Sequence, residues 1–427
     1  MERLLHYVWK YKLYAAASLA TTDGRPVQVI DPGMQNTDAG PDFFNAKIKI
    51  DGTLWVGSVE IHDKSSDWLL HHHDTDKAYD SVVLHVTGVD DFLPVRTNGE
   101  PIPQLVLAVP DTVARSIDWL LYRETSLPCL DYIRQIEPLH IDCWLEALLS
   151  ERLERKTHDI FTLLDAYNND WNEVFYITLT RNFGFGVNND AFERLAKSLP
   201  LRCIRKQRSS SSQVEAMLFG QAGMLAEENE DHYYRLLQRE YEFLRYKFGL
   251  SPMDDFVFKS LRTRPVNFPY LKVAQLATLW VQHDTLFSAI LEAGSTGEIK
   301  KYFRVSPSDY WETHYHFRYA SPRKEKPIGE NALNILLINT VVPMLFAYGL
   351  RNKQPEYCER ATRLLESIPP EKNSIVSTFC HAGIIVRHAG DTQALIQLKR
   401  EYCEKKKCLY CRIGFRMLKQ SAISFHY

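Results

Sequence analysis

Between residues 110 and 138 the apolar residues of this chain change their spacing, so one polypeptide must build two kinds of architecture. Ahead of the change the pattern alternates. In Phe43–Ile50, the side chains of Phe44, Ala46, Ile48 and Ile50 fall on one face of a strand, and Asn45, Lys47 and Lys49 on the other. Asp51-Gly52 is a two-residue hairpin signal, and Thr53–His62 is the returning strand. Val27–Ile30, Ser81–Thr87 and Gln104–Val109 read as further strands, and Asp74–Tyr79 as a short polar helix. Residues 1–14 open with an amphipathic helix whose Leu4, Leu5, Val8, Trp9 and Leu13 share a face.

After the change the period is 3.6. Cys143–Leu153, Val214–Ala226, His232–Phe248, Leu271–His283, Leu333–Tyr348, Glu356–Ser367 and Thr392–Cys403 all read as helices, with Arg205–Ser212 as a loop ending in four serines. A chain of 427 residues exceeds what one hydrophobic core organises. Two domains are expected, an α+β unit over residues 1–125 and a mainly α-helical unit over 138–427. The composition, 45% hydrophobic and 24% charged, is that of a folded protein. No segment has the roughly 18 uninterrupted apolar residues of a membrane helix. Met1-Glu2-Arg3-Leu4 carries an acid where a signal peptide has bases, so the expected location is the cytoplasm, with no membrane partner.

Chemistry-bearing residues concentrate in the first unit. Asp42, Glu60, His62, His71, His73 and His85 all lie in one strand-rich stretch. Glu60 and His62 are two apart on a strand and leave it on the same face, as a metal-binding pair or an acid–base pair requires. The order of helix, strand, strand beginning with Asp, strand with acid-x-base, helix and strand resembles the core of PD-(D/E)XK nucleases. Pro41-Asp42 and Glu60-Ile61-His62 stand at the motif positions, and Glu2 at the acid of the first helix. The resemblance implies hydrolysis of phosphodiester bonds in nucleic acid, with Mg²⁺ or Mn²⁺ held by the carboxylates. His62 stands where that family has Lys, which removes its fixed positive charge.

Strict pairing across Asp51-Gly52 opposes this arrangement. It sets Asp42 against Ile61 and turns Glu60 and His62 to the other face, unless a one-residue bulge or a bend at Pro41 intervenes. A second reading takes the histidines as a zinc site, with Trp68-x-x-His71-x-His73 as a paired-ligand arrangement if that segment is extended. The bland reading of His71-His72-His73 is a solvated loop.

Eight cysteines, five scattered and three clustered as Cys403-x4-Cys408-x2-Cys411, do not make a disulfide framework. The cluster offers three ligands to Zn²⁺ or an iron–sulfur cluster, with Cys129, Cys380 or His381 as the fourth. Around it, Lys399–Lys419 carries eight bases against Glu401 and Glu404, a net of +6 in a chain whose total is −2. Arg262, Arg264 and Lys272, and Arg205, Lys206 and Arg208, add smaller basic patches suited to phosphates. Gly184-Phe185-Gly186 and Phe219–Gly223 lack the Lys-Ser/Thr ending of a phosphate loop, and no Gly-x-Ser-x-Gly or His-Glu-x-x-His occurs.

Together, Gly40–Phe43, Gly57–His62, Ser66–Trp68, Leu84–Val86, Arg181–Gly184 and Cys408–Cys411 are similar to an uncharacterised bacterial family, a domain of unknown function common in Bacteroidetes. Three functions follow as expectations. They are a metal-dependent nuclease, an interaction protein with a decayed nuclease-like core, and a zinc hydrolase using the histidines.

Overall fold

Six strands form the sheet that the alternating pattern predicts. The computed structural model describes residues 2–14, 19–36, 39–122, 127–253, 258–260 and 264–423. Helix α1 (Glu2–Lys10) precedes β1 (Val27–Asp31), β2 (Met34–Gln35), β3 (Phe43–Ile50) and β4 (Thr53–Lys64). A short helix α2 (Asp67–Leu70) and a 3₁₀ turn (Lys77–Ser81) lead to β5 (Val82–Val89), and β6 (Gln104–Val106) closes the series. The sheet is mixed, in the order β1-β3-β4-β5-β6 with β2 beside β3. The pairs up to β4 are antiparallel; β4–β5 and β5–β6 are parallel. The middle of β4, Ser58–His62, is buried on both faces, as expected of a strand shared by the two kinds of pairing.

One detail of β3 departs from strict alternation. Phe43, Ala46, Ile48 and Ile50 are buried, whereas Phe44 is exposed. The register slips between Phe43 and Ala46, where Phe43 pairs with Val59 and Ala46 with Gly57. Asn45 takes the extra position in the left-handed region (φ 54°), which Asn tolerates better than most residues.

The backbone divides into two units, although not at the expected boundary. The first runs to Trp144 and takes in His381–Ile384 and the chain from Leu398 onward; the second comprises Leu145–Cys380 and Ile385–Gln397. The end of the chain therefore belongs with the sheet and not with the helical unit. Leu418 is fully buried in the sheet unit's core, and the Phe415 ring meets Tyr11 at 4.6 Å.

Among its described residues, the second unit is helical apart from a short hairpin of His314–His316 with Tyr319–Ala320. The expected loop at Arg205–Ser212 is shorter than its composition suggests. Helix Leu201–Gln207 runs through Arg205 and Lys206, and Ser210 caps the next helix by accepting from the Gln213 N–H. The helical run Glu330–Asn352 is long and apolar enough to cross a membrane by length and composition, yet 67% of its apolar window is buried inside the protein. A π-turn at Leu337–Val341 loosens that run. Asn182 satisfies it, donating to the Asn339 carbonyl (3.0 Å) and to Thr340 Oγ1 (2.9 Å).

Candidate functional site

The bulge at Asn45 turns Asp42 onto the face of β4 that carries Glu60. The two residues interlock: the Asp42 N–H donates to Glu60 Oε2 (3.0 Å), and the Ile61 N–H donates to Asp42 Oδ2 (2.9 Å). Parallel pairing continues the row, with Glu60 beside His85 and His85 beside Gln104. Asp42, Glu60, His85 and Gln104 thus form one rung across four strands, and His62 stands two residues along on the same face. Burial, and then the charge of Asp42, raise the Glu60 carboxyl well above its ordinary range. From α1, His6 sets Nε2 3.3 Å from Asp42 Oδ2 and 3.8 Å from Glu2 Oε1. Burial opposes charge on His6, but its contact with Asp42, helped by Glu2 and Glu60, raises its pKa.

The tautomers of the inner histidines follow from the far end of the rung. Gln104 Nε2 donates to Asp90 Oδ1 (2.6 Å), so the amide turns its oxygen to His85. That oxygen only accepts, so His85 Nδ1 carries the proton of their 2.9 Å contact. Burial brings His85 down to about 4, which keeps it neutral and leaves a lone pair on Nε2. His62 Nδ1, 2.9 Å away, must then donate. His62 is neutral as well, brought down to about 2 by burial and then by His85, His73 and His71. Its Nε2 is therefore a lone pair facing the site.

Three more ligand atoms surround that lone pair. His71 Nδ1 is 3.1 Å away and Glu60 Oε1 3.6 Å away; His73 Nε2 is 3.3 Å from the same Glu60 oxygen. Zn–N bonds of about 2.0–2.1 Å give ligand–ligand edges of roughly 3.3 Å in a tetrahedron; the His62–His71, His62–Glu60 and His73–Glu60 contacts are of that size. Among the described residues, His62, His71 and His73 form the group of three whose ligand atoms all lie within 4.8 Å of one another. Glu60, His62 and His73 are buried and His71 is exposed, so the centre opens toward solvent on the His71 side. Trp68 packs against the inner side, its ring nearly perpendicular to those of His62, His73 and His85, and Tyr79 stacks on His73 at 3.6 Å.

The segment that delivers His71 and His73 is a helix end and not the extended run expected from Trp68-x-x-His71-x-His73. His72 adopts the left-handed conformation (φ 61°), with the His73 N–H donating to the Trp68 carbonyl and the His72 N–H to the Leu69 carbonyl. That capping turn swings His73 back beside His71. The structure thus brings Asp42, Glu60, His62, His71, His73 and His85 together. Glu2 stays at the rim, in contact with His6. The sequence reading missed His6, Gln104, Asp90 and Tyr79. Only His6 had a signal, lying one helical turn after Glu2 on α1.

The residues of this site fall within a stretch that a family model covers almost end to end. The model described as "Protein of unknown function (DUF2851)" matches residues 2–374. The chain belongs to this family. No curated protein and no solved structure matches the chain. The DUF2851 match takes in the whole rung and its histidines and stops short of Cys403, Cys408 and Cys411.

Those three cysteines occupy a separate place in the first unit, together with Cys129. Of the smaller basic patches, Lys272 is no surface cation: it is buried, donates to Gln275 Oε1 (3.1 Å) and lies over the Phe185 ring. Arg205 pairs with Asp284 (3.2 Å), and Arg262 lies outside the described residues.

Proposed function

We propose that this protein is a metal-dependent hydrolase of phosphodiester bonds in nucleic acid, with its metal held by Glu60, His62, His71 and His73. The observation that carries the proposal is the hydrogen-bonded relay Asp90–Gln104–His85–His62, which holds an uncharged imidazole with its Nε2 lone pair turned into a group of ligand atoms. A ligating histidine needs that second partner to set its tautomer. A set of three nitrogens and one oxygen suits zinc or a similar transition ion better than the Mg²⁺ expected from carboxylates alone.

Nuclease chemistry is supported by the order of elements. An acid-bearing helix, an antiparallel run of strands, Asp42 at the head of one strand, Glu60-x-His62 on the next and a parallel strand after it follow the PD-(D/E)XK arrangement. His62 in place of Lys becomes a ligand, and His6, whose pKa Asp42 raises against the effect of burial, is placed to bring a positive charge when protonated. When bound, the metal polarises a phosphoryl oxygen and acidifies a water.

A surface path supports nucleic acid as the substrate. A small cavity of about 40 Å³ touching His6 and Lys10 shares Tyr11 and Tyr410 with one of about 310 Å³. The latter shares His140 and Arg416 with a third, of about 290 Å³, that reaches Lys419. Cations interleaved with aromatic faces are the make-up of a surface that tracks a phosphate backbone and stacks bases. Arg412 donates to the Cys143 carbonyl and Arg416 meets His140; neither is in an ion pair among the described residues.

The test is elemental analysis together with cleavage of labelled DNA and RNA oligonucleotides. Wild-type protein is expected to carry one transition-metal ion at the sheet site and to cleave. Glu60→Gln and His73→Ala are expected to lose both the ion and the cleavage, and Asp42→Ala the cleavage, with the fold retained. Undiminished metal content and cleavage in Glu60→Gln would refute the assignment.

A further inference from the structure

Four of the eight cysteines meet in the first unit, and none is in a disulfide. Cys129 caps the short helix α4 (Leu130–Ile133), its carbonyl accepting from the N–H groups of Tyr132 and Ile133. Cys403 ends the wide turn Leu398–Cys403, Cys408 opens the 3₁₀ turn Cys408–Tyr410, and Cys411 stands just before the last helix, Arg412–Ile423. The helix α3 (Asp111–Tyr122) draws them together. Its Leu120 carbonyl is 3.6 Å from Cys408 Sγ, and the Trp119 indole donates to the Pro128 carbonyl (3.2 Å), next to Cys129. Every pair among the four sulfurs is near enough for their charges to interact once ionised.

Donors and cations are aimed at the same atoms. The backbone N–H groups of Ile413 and Gly414 act on the Cys411 sulfur, Lys399 on Cys403 and Lys406 on Cys408. The Trp144 indole N–H, in a residue only 4% exposed, has no hydrogen-bond partner among the described residues and lies near enough to Cys411 to act on its sulfur. Such donors stabilise sulfur that carries negative charge, and hydrogen bonds to the sulfurs are a recurrent part of metal–thiolate sites.

The spacing selects the kind of centre. Four thiolates on one zinc, each at about 2.3 Å, have S–S edges of roughly 3.8 Å. Among the described residues, the group whose ligand atoms lie within 4.8 Å of one another is the histidine trio and not the cysteines. The thiol set is wider than one zinc requires, as it must be where the sulfurs are shared among several irons.

We propose that Cys129, Cys403, Cys408 and Cys411 ligate an iron–sulfur cluster that fastens the end of the chain to the segment following α3. Without it, burial and mutual repulsion keep the four as neutral thiols. Metal ligation is what turns neighbouring buried thiols into thiolates.

Full-length protein produced with supplementary iron and purified anaerobically tests this. It is expected to be brown, with broad visible absorption and equal amounts of iron and acid-labile sulfide. Cys403→Ser and Cys408→Ser are expected to lose both, while Cys380→Ser, an exposed thiol outside the set, keeps them. Zinc without sulfide in the wild type, or neither metal there, overturns the proposal without reference to any variant. Glu60→Gln is expected to keep its iron, so failure of the hydrolase reading and failure of the cluster register in different measurements.

Discussion

At the scale of single residues, the site depends on proton placement. Gln104 touches no proposed ligand other than through His85, yet its oxygen determines which nitrogen of His85, and hence of His62, carries hydrogen. Gln104→Leu, which keeps the volume and removes that acceptor, is expected to weaken metal binding by ~10–100-fold while the protein stays folded. Competition with a chromophoric chelator measures this, and unchanged affinity would show that the relay does not set the tautomer. The same residues predict the pH dependence of the metal-free protein. His62 and His85 titrate below their ordinary 6.5, so the unfolded chain takes up protons that the folded state refuses. Stability is therefore full above pH 6.5 and is lost as pH falls toward about 4 for His85 and about 2 for His62. Glu60 has the opposite sign: raised above 4.5, its contribution is present below that pH and is lost as pH rises through its displaced value. Thermal melts across pH are expected to show an acid limb in both proteins and to lose the alkaline limb in Glu60→Gln.

At the scale of elements, the bulge in β3 decides whether the hairpin carries a site. Two residues, Phe44 and Asn45, stand where the opposite strand has Ser58 alone, and strict pairing of every residue would place Asp42 opposite Ile61. Deleting Asn45 is expected to remove the bulge and keep the register on both sides of it, with Ala46 opposite Gly57, Phe43 opposite Val59 and Asp42 therefore opposite Glu60. Ile48 and Ile50 keep their buried face. The expected result is a folded protein in which the His6 titration followed by NMR stays above its ordinary value, because Asp42 is still beside it. A His6 titration that falls to the ordinary value in the deletion variant would mean that the left-handed turn at Asn45, and not the register, orients Asp42.

At the scale of the whole molecule, the chain returns to its first unit after building the second. Leu418 lies in the sheet unit's core and Tyr132 donates to the Arg416 carbonyl (3.2 Å), so the chain beyond Gln397 supports the sheet unit. Stopping the chain after Gln397 is expected to destabilise the sheet unit by several kcal/mol, through loss of a buried core face. The core of the second unit, built around Phe175, Phe192, Phe219 and Trp311, loses none of its members. Calorimetry should show the transition of the sheet unit lowered or lost and that of the helical unit kept. Equal loss of both transitions would contradict the division.

Local pattern alone determined the two architectures. Alternation over Phe43–Ile50, the Asp51-Gly52 turn and the 3.6 period of His232–Phe248 are short-range properties that a chain displays before it folds. The concentration of Asp42, Glu60 and four histidines was legible for the same reason. Their convergence was not, because it rests on a one-residue bulge, a left-handed His72 and a parallel pairing that sets Glu60, His85 and Gln104 side by side from three strands. Phe44 marks the limit: by alternation it belongs inside, and the bulge puts it outside. Membership of the last helix in the sheet unit, and of Cys129 in the cysteine set, depends on contacts between residues more than 250 positions apart, as between Leu120 and Cys408. No periodicity encodes such contacts, and only burial of the shared core selects them.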